Sequence, residues 1–589
     1  DAKSRAMAEP LVAAIDKPAF GAPHFTNALV KGTLAEAQPE LADALRDRAG
    51  LSEIHTTIDP DVQRAAEGAV TTTLASLADK HVTAAAVVAL DNATGDLLAY
   101  VGSPDFYSVA ALGQNDGVLA LRQPGSSLKP FVYAEAMERL GFTAATVLPD
   151  VELHIPLPGG GDYVPHDYDG KQRGPVRLRE ALGNSLNIPA VYTIHRLGTE
   201  RVLDRLHAFG FASLTEDAEH YGPALALGDG EVTLLELANA YAALARGGIR
   251  KPPRMVTRLV RGANTVEFEP SSTPTRVLDE RIAAVITDIL SDKRARMSAF
   301  GDQNVLELDF PVAAKTGTSK GYRDNVAIGY TRETTVAVWV GNFDGSPMKD
   351  VSGITGAGPV FREVMEAAQR RRSSWASSDA RSLSLGDDAA RLGLARTPVC
   401  ALSGEIPTAA CPHRIYEWLP RSDADHAPTC STHQRVRIDL RNGLRAGPAC
   451  SSDVTASRVF EKWTAPYDEW ARRNRRALVP EASSPECPAE RDARFDAGST
   501  DDDEARPRDP MAPRIVYPFD GARFVIDPER PIALQLLEIR VEQDASTVQV
   551  LVDGAPLSKE RTWPLAPGSH TITARKGSHT STPVHITVR

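Results

Sequence analysis

No apolar run in this 589-residue chain approaches the ~20 residues that a membrane-spanning helix needs. The best candidate, Ala84 to Leu90, has the length of a strand, so the chain as written is expected to be soluble. A cationic excess is also missing: 66 Lys and Arg stand against 77 Asp and Glu. The resulting net charge of -11 gives no electrostatic reason to expect a nucleic-acid partner. Cysteine is scarce and odd in number, five in all, so disulfides within one chain would leave a thiol over. The chain begins with Asp1 and shows no signal peptide, and upstream residues are expected to have been removed or left out. What is present is ordinary globular composition, 42% hydrophobic and 24% charged, in a chain long enough for roughly three or four domains.

The chain is organised around Gln123-Pro124-Gly125-Ser126-Ser127-Leu128-Lys129-Pro130, where a Pro/Gly turn gives way to an apolar helical pattern. Leu128, Val132, Ala136 and Leu140 recur at helical spacing, which predicts a buried helix with Ser126 as its cap. Lys129 follows one turn later on the same face. A lysine in an apolar setting is pushed towards its neutral amine, which can take a hydroxyl proton, so the pair has the form of a nucleophile and its base. Ser346 and Lys349 repeat the spacing in a Gly/Pro loop with no helix to align them, and that copy reads as accidental.

Around this stretch the pattern predicts a strand over Glu53 to Ile58, a helix from Asp59-Pro60, a buried strand over Ala84 to Leu90, and a hairpin turn at Asp91 to Gly95. Ile155 to Arg173 should be surface loop, and helices are expected at Arg177 to Ala181, Ala190 to Leu197 and Leu234 to Leu244. Strands return at Met255 to Val260, and alternating strands at Asn325 to Tyr330 and Thr334 to Val340 precede a helix from Val360 to Arg371. Strands at both ends of a helical middle imply an α+β fold, an antiparallel sheet flanked by helices.

Ser185-Leu186-Asn187 and Lys315-Thr316-Gly317 occur once each, in that order after Ser126 and Lys129. The three motifs together resemble the signature of penicillin-binding proteins and β-lactamases. Thr56 to Pro60, Arg122-Gln-Pro-Gly-Ser126 and Lys315-Thr-Gly-Thr-Ser319 followed by Tyr322-Arg323-Asp324 resemble the transpeptidase domain of the class A, bifunctional penicillin-binding proteins. The proline-rich lead-in with Ala22-Pro-His-Phe25 and the cysteine-bearing tail resemble the 1C branch of that class.

The resemblance implies a peptidoglycan D,D-transpeptidase that cross-links stem peptides through a serine acyl-enzyme, needs no cofactor, and is acylated by β-lactams. Ser126 would be the nucleophile and Lys129 its base. Ser185 would relay the proton to the leaving amine, and Asn187 would hold Lys129 and the substrate amide. Lys315, Thr316 and Thr318 would meet the substrate carboxylate. The N-H groups of Ser126 and Thr318 would form the oxyanion hole, and Gly317 would let an extended peptide lie along the strand. Leu186, where class A β-lactamases have Asp, favours the transpeptidase. A D,D-carboxypeptidase is one alternative, and a weak or inactive cell-wall-binding scaffold is another. The glycosyltransferase domain and membrane helix of the class have no room in the first fifty residues, so glycan polymerisation is not predicted. The native protein is expected in the periplasm, anchored to the inner membrane by an absent N-terminal helix.

Composition, strand pattern and the resemblance together divide the chain into a lead-in segment (1–52), the transpeptidase domain that the resemblance implies (53–375), a cysteine-containing accessory region (376–480), a disordered linker (481–513) and an immunoglobulin-like β-sandwich (514–589). The last domain would recruit cell-wall synthesis or outer-membrane proteins by analogy. For the cysteines, disulfides are the default of an exported protein. An alternative that uses every cysteine is a metal site from Cys400, Cys411, Cys430 and His433 with a Cys450 to Cys487 bridge, although Cys400 and Cys411 are too far apart for a familiar zinc knuckle. Trp463, Trp470 and Arg472 to Arg476 fit a helical pattern from Ser457 to Leu478.

Overall fold

Strand β1 (Ala84–Asp91) is buried along its whole length, and its small and β-branched residues divide between two cores. Ala84, Ala86, Val88 and Leu90 face one, while Ala85, Val87 and Ala89 face the other, as the two-residue period of a strand requires. With β2 (Leu97–Val101), β3 (Ala313–Thr318), β4 (Asp324–Tyr330) and β5 (Thr334–Gly341) it forms an antiparallel sheet in the order β3-β4-β5-β1-β2. Helices Pro60–Ser76 and Ala357–Arg370 cover one face, and Leu234–Ala245 packs on the other. Antiparallel sheets often leave one face to water, and the expected alternation along β4 and β5 rested on that habit. Here both strands are buried throughout because helices occupy both sides.

The computed structural model describes residues 21–34, 41, 44–45, 50–156, 162–268, 273–301, 303–371, 383–386, 388–424, 426–448, 450–486, 512–513, 515–518, 520, 522–524, 526, 535–541, 548–558 and 561–588. Part of the lead-in belongs to the core: helix Pro23–Lys31 buries Phe25, Ala28 and Leu29, and Phe25 meets the ring of Tyr100 at 5.8 Å. Asp59 caps Pro60–Ser76 by accepting from the N-H groups of Asp61 and Val62. Two helices that the sequence pattern did not single out, Thr199–Phe209 and Lys293–Phe300, fill the helical middle. Within the expected loop of 155–173, Ile155–Pro156 and Asp162–Tyr163 pair as a short ladder. No helix among the described residues is long and apolar enough to cross a membrane.

Residues 1–490 form one compact unit. The accessory region is built on two antiparallel ladders, Leu394–Cys400 with Arg414–Pro420 and His433–Asp439 with Thr455–Glu461. The second ladder overturns the helix expected over 457–478. Its first residues are committed to strand hydrogen bonds, Pro466 cannot donate in a helix interior, and only Asp468–Arg473 is helical. The second unit, 491–589, is all β among its described residues. Its main sheet runs Ala522–Phe524, Val584–Val588, Gly568–Lys576, Gln549–Val552, Ala555–Pro556, with the first pair parallel. The strand expected at Ile532 to Leu536 is seen as Leu536–Glu538, and 531–534 lie outside the described residues, as does most of the expected linker, 487–511.

Candidate active site

Ser126 does not cap the helix directly. It lies in a 3-10 turn (Gly125–Leu128), and the α-helix begins at Lys129 and runs to Leu140 with Pro130 in its first turn. The turn is gripped from both sides by backbone that only glycine allows. A Cβ on Gly317 would stand 2.0 Å from the carbonyl oxygen of Pro124, and one on Gly228 would stand 2.2 Å from that of Gly125. Gly125 itself, at φ 57°, has its Cβ position 2.8 Å from the Thr318 nitrogen. By resemblance Gly317 makes room for the substrate, and the structure adds a second duty, close packing of β3 against the serine turn. The Tyr241 hydroxyl donates to the Ser127 carbonyl at 2.7 Å. Arg122 donates to the carbonyls of Asn342 and Phe343 and lies 4.9 Å from the centre of the Trp339 ring. These contacts tie the turn to the central sheet.

The structure brings the three motifs together around two fully buried lysines. The Lys129 amine donates to the Asn187 side-chain oxygen at 2.7 Å and to the Ser185 carbonyl. The Lys315 amine donates to the Ser185 hydroxyl at 2.8 Å and to the Thr316 carbonyl at 2.9 Å. Burial brings the Lys129 ammonium down to about 7, against the opposing charge of Asp167. Lys315 is held well below its ordinary range, first by burial and then by the positive charges of Lys129 and Arg296. Ser185 adopts φ 60°, a left-handed conformation that a non-glycine residue seldom takes, directly between the two amines. Thr316 is nearly buried, and the Thr318 hydroxyl accepts from the Gly353 N-H at 3.1 Å. Edge strand β3 carries Lys315, Gly317 and Thr318 opposite Ile328, Val326 and Asn325 of β4.

Asp167 is the residue the sequence reading missed. It sits in a loop rich in Asp, Gly and Tyr where nothing distinguishes one acid from another. Its carboxylate accepts from the backbone N-H groups of Asn187 and Ile188 at the start of helix Asn187–Leu197, and Arg173 donates to it at 3.2 Å. Asp150 lies beside it, and burial, with the Asp167 charge added, pushes the Asp150 carboxyl up to about 8. Tyr168, next in the loop, meets the hydroxyl of Tyr322 at 2.7 Å and so joins this loop to the turn after β3. Ser346 and Lys349 remain in irregular loop outside this assembly.

The disulfide expectation holds for one described cysteine only. Cys450 is disulfide-bonded, its proposed partner Cys487 lies outside the described residues, and Cys400, Cys411 and Cys430 are free. These three converge with His433 in the accessory region.

Comparison with known proteins matches residues 85–366 to the family described as "Penicillin binding protein transpeptidase domain" and residues 502–584 to the "Penicillin-Binding Protein C-terminus Family". Penicillin-binding protein 1C of Escherichia coli is 28% identical over 74% of this chain, and penicillin-binding protein 2D of Bacillus subtilis is 31% identical over 54%. This chain spans about half the length of each, 54% and 45%. Among solved structures, the PonA1 protein from Mycobacterium tuberculosis in complex with penicillin V is 27% identical, with a TM-score of 0.51 over 60% of this chain and 95% of that one. The chain therefore carries a penicillin-binding protein transpeptidase domain, followed by a domain of the penicillin-binding protein C-terminus family.

Proposed function

We propose that this chain is a serine-type D,D-transpeptidase that forms an acyl-enzyme on Ser126 and transfers the acyl group to an amine of a second peptidoglycan stem peptide. The observation that carries the reading is the setting of Lys129. A neutral amine has two N-H donors and one lone pair. The donors are taken by the Ser185 carbonyl and the Asn187 amide oxygen, and the lone pair is left to accept the Ser126 proton. Ser126 then attacks the carbonyl carbon of the D-alanyl-D-alanine amide. The resulting oxyanion is met by the N-H groups of Ser126 and Thr318, a reading supported by the packing of Thr318 against Gly125. Ser185, which accepts from Lys315, passes the proton to the leaving amine, D-alanine departs, and the second amine attacks the ester to release Ser126. A β-lactam enters the first half of this cycle and stops at the ester.

Lys315, Thr316 and Thr318 on the edge strand suit an extended peptide ending in a carboxylate, added to the sheet as a further strand. We place the protein in the periplasm, with the C-terminal domain as a docking module for cell-wall proteins. The test is covalent labelling by a fluorescent penicillin. The wild-type chain is expected to label and Ser126→Ala to remain blank. A folded wild type that does not label would sink the enzyme reading and favour a cell-wall-binding scaffold.

A further inference from the structure

We propose that Cys400, Cys411, Cys430 and His433 form a closed, four-coordinate structural zinc site that seats the accessory region on the transpeptidase domain. The four side chains are nearly inaccessible, with 0 to 7% of their surface exposed, and one ligand atom from each lies within 4.8 Å of all the others. Tetrahedral geometry at usual zinc bond lengths sets sulfur and nitrogen ligands ~3.6 Å apart and two sulfurs ~3.8 Å apart. The Cys400 and Cys430 sulfurs stand 3.4 and 3.5 Å from Nδ1 of His433. Three thiols cannot pair off as disulfides, and none of these three is bonded to another. A histidine as the fourth member completes a set that zinc takes and a disulfide does not.

The backbone around the cluster has the form that thiolates require. Cys400 ends strand Leu394–Cys400, and the chain turns through Gly404 at φ 70°. That turn aims the N-H groups of Leu402 and Ser403 at the Cys400 sulfur, and the Thr408 N-H reaches the Cys411 sulfur at 3.3 Å. Cys430 and His433, three residues apart, enter the second ladder, where His433 is the first residue of strand His433–Asp439. The first hairpin thus contributes Cys400 and Cys411, and the lead-in and first residue of the second ladder contribute Cys430 and His433. The separation of Cys400 from Cys411, which argued against a knuckle in the sequence, is the length of the hairpin that folds one back beside the other.

Such a clasp suits the part of the region beyond Leu394, since Leu383, Leu385, Ala389, Leu392 and Leu394 already pack into the main core. Among the described residues its own apolar clusters are small: Val399 and Leu419 pack with Ala145, and the only hydrophobic side chain packed on the cysteine group is Leu402. Regions with so little core are commonly held by metals or disulfides. The turn after Cys400 is also a docking surface, because a Cβ on Gly404 would lie 2.0 Å from the Ala145 carbonyl of the transpeptidase domain. With three cysteines and a histidine filling all four positions, no place remains for water, so the role is structural. Binding releases three thiol protons to solvent as three Zn-S bonds and one Zn-N bond form.

The test is the metal content of the full chain, purified under reducing conditions with zinc present and then dialysed. One zinc per chain is expected, released by a thiol-modifying reagent and lost in both Cys430→Ser and His433→Ala. Replacement by cobalt in the wild-type chain should give thiolate-to-metal charge-transfer bands and the intense visible bands of a tetrahedral site, a readout that depends on no variant folding. No bound metal, a zinc content unchanged in the two variants, or a disulfide mapped among Cys400, Cys411 and Cys430 would each overturn the proposal.

Discussion

The candidate cleft and the seam beneath the accessory region both bury charged side chains, and they leave them in opposite states. In the cleft, Lys129 and Lys315 are surrounded by carbonyl, amide and hydroxyl oxygens, with Asp167 the nearby carboxylate that opposes the loss of the Lys129 charge. In the seam, Glu417 of the accessory region, 1% exposed, receives Arg177 at 3.2 Å and Arg179 at 2.9 Å, and Arg179 also meets Asp288 at 2.7 Å. Burial pulls the Arg179 guanidinium down, and Glu417 and Asp288 more than reverse it. Where burial outweighs the nearby charge, as at Lys129, a neutral reactive group results; where the partners outweigh burial, as at Arg179, the cation stays charged and forms a structural joint, although burial still raises the Glu417 carboxyl against its two guanidiniums. The two states are adjacent in the chain: Arg177 and Arg179 begin the helix Leu178–Gly183 that leads into Ser185.

Lys129→Arg breaks the contrast most severely, because a guanidinium keeps its proton in the same surroundings. Acylation by penicillin per folded molecule is expected to fall by about 10²- to 10⁴-fold, and the thermal midpoint should fall as well, because a larger group that keeps its charge is buried where Lys129 sheds it. In the wild type the acylation rate should rise with pH and level off above about 7, since the amine must lose its proton before it can accept one. Stopped-flow labelling across pH 5 to 9 checks both, and a rate flat through pH 7 would remove Lys129 as the base.

Glu417→Ala tests the other state. It leaves Arg177 and Arg179 facing a buried void, and a loss of roughly 3–5 kcal/mol in denaturant unfolding is expected. Labelling per folded molecule should change far less than in Lys129→Arg. Equal damage to both readouts would show that the seam and the cleft are a single device.

Gly317→Ala probes the contact between strand and serine turn. The added methyl carbon would overlap the Pro124 carbonyl, so either β3 or the turn must move, at a cost of about 1–3 kcal/mol in stability. Because the displaced turn carries Ser126, acylation should fall as well. An acylation rate equal to wild type would mean that the turn tolerates displacement.

The convergence of the motifs was largely legible in the sequence because each lies in a short spacing: Ser126 and Lys129 one helical turn apart, Ser185 and Asn187 flanking one residue, Lys315 and Gly317 on one strand. Asp167 was not legible, since its loop has no period and its partners, the N-H groups of Asn187 and Ile188, carry no side-chain signal. Strand Thr455–Glu461 was misread because its apolar residues also fit a helix, and only pairing with His433–Asp439 distinguishes the two. The grouping of Cys400 with Cys411 was raised as an alternative and doubted on their sequence distance, but strand pairing, not that distance, sets it.

Asp150, read over a single pH unit, gives the smallest effect and sharpens the comparison from inside the cleft. It is a buried carboxyl beside Asp167, with Arg173 shared between them, and so lies between the two states. Its native carboxyl ionises at about 8, above the ordinary unfolded value near 3.9, so between those limits the folded chain holds a proton that the unfolded chain has released. Stability conferred by that proton is complete below about pH 4 and is lost as pH rises through the window to about 8. Asp150→Asn cannot ionise, so its stability relative to wild type should improve across that window by at most about 1.4 kcal/mol for each pH unit, and stay constant above it. Chemical unfolding of both chains at pH 6 and 7 measures one such step. A difference independent of pH would show that Arg173 compensates Asp150 fully and that this carboxylate belongs with the structural joints of the seam.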